Sequence, residues 1–182
     1  MEESLTIWLT YHDDNQIEQY GLKEDESIRL FKGNDVDVEG ENINHLTRFY
    51  SELCTMYYVW KNRIESRQIG FCHYRRPFNN VFEVDEGQCQ VLSINHGSPI
   101  FQHYKLAHNY QDMYDAIEII DELYGHGNPY SNYLLNGRVF IPCCCFIMNY
   151  SDFEKLCEWL FPILFACSRA MNRRLCRTQR SI

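Results

Sequence analysis

The chain has 182 residues, 45% hydrophobic and 15% aromatic, and a net charge of -8 at neutral pH. That length suits one domain whose core needs no disulfide staples. The acidic balance argues against general nucleic-acid binding, which needs a basic face.

The start, MEESLTIWLTYHDD, is acidic and lacks the basic and long apolar regions of a signal peptide. Nine cysteines, an odd count set mostly in apolar runs, read as buried free thiols in a reducing compartment. A cytoplasmic location is expected. Leu160 to Cys167, the longest apolar stretch, is interrupted by Pro162 and too short to span a bilayer.

Leu5 to Thr10 predicts a first buried strand. Residues 13–40 are polar and turn-rich, with a short strand expected at 27–31. Asp35-Val36-Asp37 lies in that stretch. Many nucleotide-sugar enzymes hold a divalent cation on such a pair, but the acidic surroundings favour a solvated loop. Asn42 or Asn44 can cap a helix, with Leu46, Phe49, Leu53, Met56 or Tyr57, and Trp60 at helical spacing. That helix ends near Lys61-Asn62. Gln68 to His73 predicts a second buried strand, which stops at His73-Tyr74-Arg75-Arg76-Pro77.

Two short strands are expected at 81–84 and 90–94. Asn109 and Asp112 signal the start of a helix carrying Met113, Ile117, Ile120 and Leu123 on one face. Residues 125–129 form a turn. Residues 139–148 predict a strand interrupted near Pro142, within which Cys143-Cys144-Cys145 pack as core thiols, since alternation keeps them from converging on one metal. Ser151 and Glu154 form a capping box for a last helix from Asp152, with Phe153, Leu156, Leu160, Ile163, Leu164 and Cys167 inward. Residues 1–168 are therefore expected to form one α/β domain, with a mixed, mostly parallel sheet flanked by helices. An Arg-rich C-terminal tail, 169–182, follows. It is read either as solvated or as a peripheral contact with anionic lipid at the inner face of the membrane.

In open sheets of this class, ligands collect at the carboxyl ends of the strands. That rule gives weight to His73-Tyr74-Arg75-Arg76. Arg binds phosphate bidentately and stays charged, and His can donate to a second oxygen or serve as acid or base. Alternatively, one Arg faces a site while the other pairs with an acid. His103 and His108 precede the helix at Asn109, where the helix N-terminus favours anions. No metal ligand set stands out.

Tyr50-Ser51-Glu52-Leu53-Cys54-Thr55, Tyr58-Val59-Trp60-Lys61-Asn62 and Ile69-Gly70-Phe71-Cys72-His73-Tyr74-Arg75-Arg76 together resemble a bacterial family, domain of unknown function 4422. Glu41-Asn42-Ile43-Asn44, Gln102 to His108, Phe146-Ile147-Met148 and Glu158-Trp159-Leu160-Phe161 extend the resemblance over most of residues 28–165. Thr10-Tyr11-His12 stands where that family has a Thr-His-Lys pattern, and Pro77 and Cys144-Cys145 depart from it. The family is regarded as glycosyltransferases of capsular and exopolysaccharide gene clusters.

The resemblance implies a fold similar to the GT-A nucleotide-sugar transferases. It also implies transfer of a sugar from a nucleotide-diphosphate donor to a glycan or lipid-linked glycan acceptor. On that reading Arg75 and Arg76 clamp the donor diphosphate, with His73 as supporting donor and His108 as a further candidate. Glu52 is the candidate base, or else an ion-pair partner of Arg75 or Arg76. No cofactor is required by the residues, and Mn²⁺ or Mg²⁺ remains open. The rival expectation is a catalytically degenerate relative that binds a nucleotide or glycan, or scaffolds a polysaccharide synthesis complex.

Overall fold

The structure, a computed structural model, describes residues 4–92 and 95–179, without the side chains of 95, 96, 142 and 171–179. The chain divides into two compact units, Met1–Ser93 with Ile141–Cys157, and Ile94–Phe140 with Glu158–Ile182.

The first unit is built on β1 (Leu5–Tyr11), α1 (Asn15–Tyr20), β2 (Ile28–Lys32), α2 (Thr47–Tyr50), α3 (Leu53–Lys61), β3 (Gln68–His73) and β4 (Cys89–Val91). β1 is central. Its residues from Thr6 to Thr10 are buried on both faces, which is why its sequence runs apolar with little alternation. β1 lies parallel to β2 on one side and to β3 on the other. A later strand, Phe146–Asn149, pairs antiparallel with both β3 and β4, and completes a five-stranded sheet. Four of the five strands therefore run the same way, and the sheet is mixed and mostly parallel, as expected.

One sheet face carries Ile7, Leu9, Cys72 and Ile147, packed with Leu22 and Ile17 from around α1. Gly70 belongs to this face. A methyl group there would come within 2.8 Å of Ile147 Cγ1 and 3.1 Å of Ile7 Cγ1. The opposite face carries Trp8, Phe71, Thr10 and His73, with Trp8 paired to Phe71 and Thr10 to His73. Tyr58 of α3 and Phe31 pack edge-on against Trp8. Phe153 stacks on Phe71 at 5.0 Å.

The second unit holds a two-stranded ladder and α4 (Ile100–Ala107), α5 (Tyr110–Tyr124) and α6 (Pro129–Asn136). Its ladder pairs β5 (Asn95–His96) with β6 (Val139–Phe140); Phe146–Asn149 is then β7. Asn109 caps α5 by accepting from Gln111 N, as expected. Asn128 caps α6 by accepting from Tyr130 N and Ser131 N, with Pro129 at the first helical position. The long α7 (Tyr150–Gln179) contributes its first turns to the first unit and the rest to the second.

Several expectations change. The helix expected over 46–61 is broken into α2 and α3 at Ser51-Glu52. Neither Asn42 nor Asn44 caps it. Asn42 accepts from Asn44 N, and the buried Asn44 donates to the Asp35 carbonyl, so the pair braces a loop. Residues 81–84 are not a strand, because Phe82 N donates to Gln90 Oε1 and the segment runs as a loop. Ser151 lies inside α7, which begins at Tyr150, so it cannot cap that helix. Cys143-Cys144-Cys145 sit on a turn before β7 rather than in a strand, with only Cys145 fully buried.

Asp35-Val36-Asp37 is exposed, and Asp35 Oδ1 accepts from Asp37 N, in the loop that begins after the carboxyl end of β2 at Lys32. His103 lies inside α4 rather than ahead of a helix, whereas His108 closes α4 and stands directly before Asn109, the N-cap of α5, as expected. From Arg169 the backbone continues in α7 to Gln179. The side chains of Arg173, Arg174 and Arg177, and all of Arg180, lie outside the described residues. Among the described residues no helix is long and apolar enough to cross a membrane.

Candidate active site at the carboxyl ends of the parallel strands

Strand β1 has β2 on one side and β3 on the other. The chain reverses its direction of winding there, and such a switch point opens a crevice outside the strand ends. Tyr11-His12, Lys32-Gly33 and His73-Tyr74 occupy those ends. Gly33 N donates to the Tyr11 carbonyl at 2.9 Å. A methyl group on Gly33 would lie 2.9 Å from His12 Cε1, so the glycine makes room for the His12 ring. Behind it the buried hydroxyls of Thr10 and Thr55 share a hydrogen bond of 2.6 Å, tying β1 to α3.

Glu52 enters this crevice because of a backbone irregularity. Ser51 has φ 45° and ψ -122°, a region where a side chain is strained and which collects at functional sites. The kink ends α2 and starts α3, and places the Glu52 carboxylate 3.3 Å from His73 Nε2. On the other side of the ring, the Arg75 backbone N–H donates to His73 Nδ1 at 3.2 Å. An acceptor Nδ1 requires the proton on Nε2, so neutral His73 donates to Glu52. Burial lowers the His73 pKa below 6.5; Glu52 opposes that shift, while Arg75, His12 and Arg76 reinforce it. Near neutrality the contact is thus a hydrogen bond to a carboxylate rather than an ion pair. His12 is also lowered by burial, with Glu52 again opposing.

His73-Tyr74-Arg75-Arg76 is a tight turn closed by Arg76 N donating to the His73 carbonyl at 2.8 Å. Tyr74 stacks on His73 at 4.1 Å and meets Tyr20 edge-on at 5.0 Å. The Arg75 guanidinium lies 5.2 Å from the Tyr74 ring centroid. Arg75 and Arg76 are both exposed, and among the described residues neither pairs with an acid. The alternative in which Glu52 pairs with one of them is not what forms; Glu52 is engaged by His73.

Cys143 and Cys144 stand beside this group, at φ 65° and 46°. Burial pushes the Cys144 thiol up to about 12, and the Glu52 charge adds to it. His108 belongs to the second unit, where its ring stacks on Tyr104 at 4.7 Å. Among the described residues no three His, Cys, Asp or Glu side chains gather as a metal set.

The site thus brings together Glu52, His73 and the Arg75-Arg76 turn, and adds His12, Thr10, Thr55 and Cys144. Sequence reasoning missed the additions. The strand-end rule, applied to β1 as well as β3, points to Thr10-Tyr11-His12. Pro142, where the sequence already interrupts the strand, marks the Cys143-Cys144 turn, but nothing in the sequence aims it at this site.

Other motif residues serve the frame. Asn62 donates to the Glu41 and Tyr58 carbonyls and accepts from Glu41 N. Tyr57 donates to the Glu41 carboxylate at 2.6 Å. Segments about 20 residues apart are therefore one hydrogen-bonded latch behind α3.

A family model described as domain of unknown function (DUF4422) matches residues 15–99 and 92–180. No curated protein matches the chain. Among solved structures, the apo form of the WbbM bifunctional glycosyltransferase is similar, at 21% identity and a TM-score of 0.71. The match covers 92% of this chain and 37% of that one, so the two share a fold over about a third of the larger protein.

Proposed function

We propose that this chain, which belongs to the family described as domain of unknown function (DUF4422), is a glycosyltransferase using a nucleotide-diphosphate-sugar donor. The acceptor is a hydroxyl of a growing capsular or exopolysaccharide glycan, free or lipid-linked. The observation that carries the reading is the exposed Arg75-Arg76 turn, without an acidic partner among the described residues, at a strand end beside a carboxylate held in place. The fold shared with a structure titled as a bifunctional glycosyltransferase supports it.

In this reading the donor diphosphate rests on Arg75 and Arg76. Their charge stabilises the negative charge that develops on the leaving group. Glu52 takes the proton of the acceptor hydroxyl as its oxygen attacks the anomeric carbon. The bond from that carbon to the diphosphate oxygen breaks, and the nucleoside diphosphate departs. His108 is kept as a further donor-binding candidate. The Arg-rich end from Arg169 onward is proposed to meet anionic lipid where a lipid-linked acceptor is presented. Each assay is run with and without Mn²⁺ or Mg²⁺, which the reading permits but does not require.

The test is release of nucleotide from UDP-, GDP-, dTDP- and CMP-linked sugars in the presence of glycan acceptor. Glu52→Gln is expected to lower turnover by about 10²–10⁴-fold, the range for a positioned base, with donor affinity little changed. Equal turnover in Glu52→Gln and the natural chain contradicts the assignment. A second reading, a binding relative without turnover, is favoured by the engagement of both His73 nitrogens within the chain. It predicts donor binding with no nucleotide release by the natural chain.

A further inference from the structure

His73 makes two contacts at once, and each depends on where its proton sits. Nδ1 accepts from the Arg75 backbone N–H, and Nε2–H donates to Glu52. The ring is buried, so water cannot easily replace either partner. It is also held in place: the His73 backbone pairs with Thr10, and Tyr74 covers the ring. The ring therefore connects the carboxylate and the arginine turn through two bonds of fixed polarity.

We propose that His73 is a positioning residue that couples Glu52 to the Arg75-Arg76 turn, and that protonation of its Nδ1 uncouples them by setting two N–H donors against each other. Protonation converts Nδ1 from acceptor to donor. The Arg75 amide, 3.2 Å away, then loses its acceptor, and the turn that presents the guanidinium groups loses one of its two closing hydrogen bonds. The Nε2–H contact with Glu52 survives and strengthens as an ion pair. The device thus holds Glu52 while releasing the arginines.

The charged and titratable groups around the ring come from four directions. They are Glu52 ahead of α3, His12 at the end of β1, Arg75 and Arg76 on the turn, and the Cys145 thiol, which contacts the His73 main chain from before β7. Glu52 alone favours the protonated ring. His12, when charged, and the two arginines oppose it. Binding a diphosphate on the arginines would offset their charge and favour protonation, so donor and proton are linked at one residue.

The link to donor binding rests on the proposed function; the coupling itself does not. The experiment is therefore a ¹H–¹⁵N NMR titration of the full chain from pH 8 to 5, with imidazole and amide signals assigned, in the natural chain, His73→Asn and Arg75→Ala. Asn places an oxygen near Nδ1 but cannot titrate. The expected results are the Nε2–H tautomer at pH 8, and an Arg75 amide shift that follows the His73 midpoint and is absent in His73→Asn. Arg75 amide hydrogen exchange should rise at least tenfold beyond its intrinsic pH trend on crossing that midpoint.

A His73 Nδ1–H tautomer at pH 8, or an Arg75 amide indifferent to His73 protonation, overturns the coupling. Inorganic pyrophosphate, titrated into the same samples, separates the two claims. If Arg75→Ala binds it as well as the natural chain does while the amide coupling is intact, the diphosphate clamp fails and the positioning role stands. If Arg75→Ala weakens binding but the amide is indifferent, the reverse holds.

Discussion

Ser51 carries a side chain in a backbone region that glycine occupies freely. Ser51→Gly is therefore expected to stabilise the fold by about 1 kcal/mol through relief of strain, read as a rise in melting temperature. A fall would mean that the serine side chain holds the kink. Asn62→Ala removes two hydrogen bonds that fasten Glu41 to the end of α3 and a third to the Tyr58 carbonyl within that helix. Thermal unfolding should show a loss of about 1–3 kcal/mol, the range for polar groups left unpaired.

His12 and His73 both have pKa values lowered in the fold by burial. The unfolded chain then binds more protons below pH 6.5, so their contribution is full above that value and lost as pH falls through the folded values. Equilibrium unfolding at pH 7.5 and 5.5 should show the lower stability at pH 5.5, and His73→Asn should flatten the dependence. The sequence marked Glu52, His73, Arg75 and Arg76 because they cluster in one motif block. It could not show that Glu52 answers His73 rather than an arginine, since that choice is made by the Ser51 kink.

Among the elements, β1, β3 and α5 were legible for a physical reason: each buries an uninterrupted or periodic apolar pattern. α1, α4 and α6 were not. α1 buries no residue, α4 buries Phe101 and α6 buries Ser131, so none leaves a hydrophobic period to read. α4 has no side-chain cap at its start, α1 is closed only by Gly21 at a positive φ, and α6 carries the one side-chain N-cap of the three. That cap is Asn128, accepting at the start of α6 while its amide donates to Asp121, Gly125 and Ser131.

Asn128→Ala should cost about 1–2 kcal/mol, measured by chemical denaturation. No change would mean that the Asp121–Ser131 hydrogen bond suffices to fix the turn. Within the sheet, Gly70→Ala would push a methyl group against Ile147 and Ile7. Overpacking of this kind costs about 1–3 kcal/mol, and unchanged unfolding would mean that the two isoleucines shift at no cost.

At the scale of the molecule, a net charge of -8 makes an exposed arginine pair, with no acidic partner among the described residues, an unusual local feature. It is set where an open sheet binds ligands. The mixed, mostly parallel sheet was legible from strands alternating with helices. The division into two units was not, because the short turn signals near its boundaries, Gly97-Ser98-Pro99 and Pro142, look like those of any loop between elements. The chain also spans about a third of the bifunctional glycosyltransferase whose fold it shares, so acceptor binding is a proposal for this chain on its own.

The most direct test of the central claim is a thermal-shift screen with UDP-, GDP-, dTDP- and CMP-linked sugars, with and without Mn²⁺, on the natural chain and on Arg75→Ala/Arg76→Ala. A donor at about 100 times its Kd adds roughly 2.7 kcal/mol. For a chain of this size that is a rise of about 5–10 °C. Such a rise is expected for one of the diphosphate donors (UDP, GDP or dTDP) in the natural chain, with its loss in the double variant, and none is expected for the CMP-linked sugars, which carry a single phosphate. No rise with any donor, or an equal rise in both proteins, would contradict the claim.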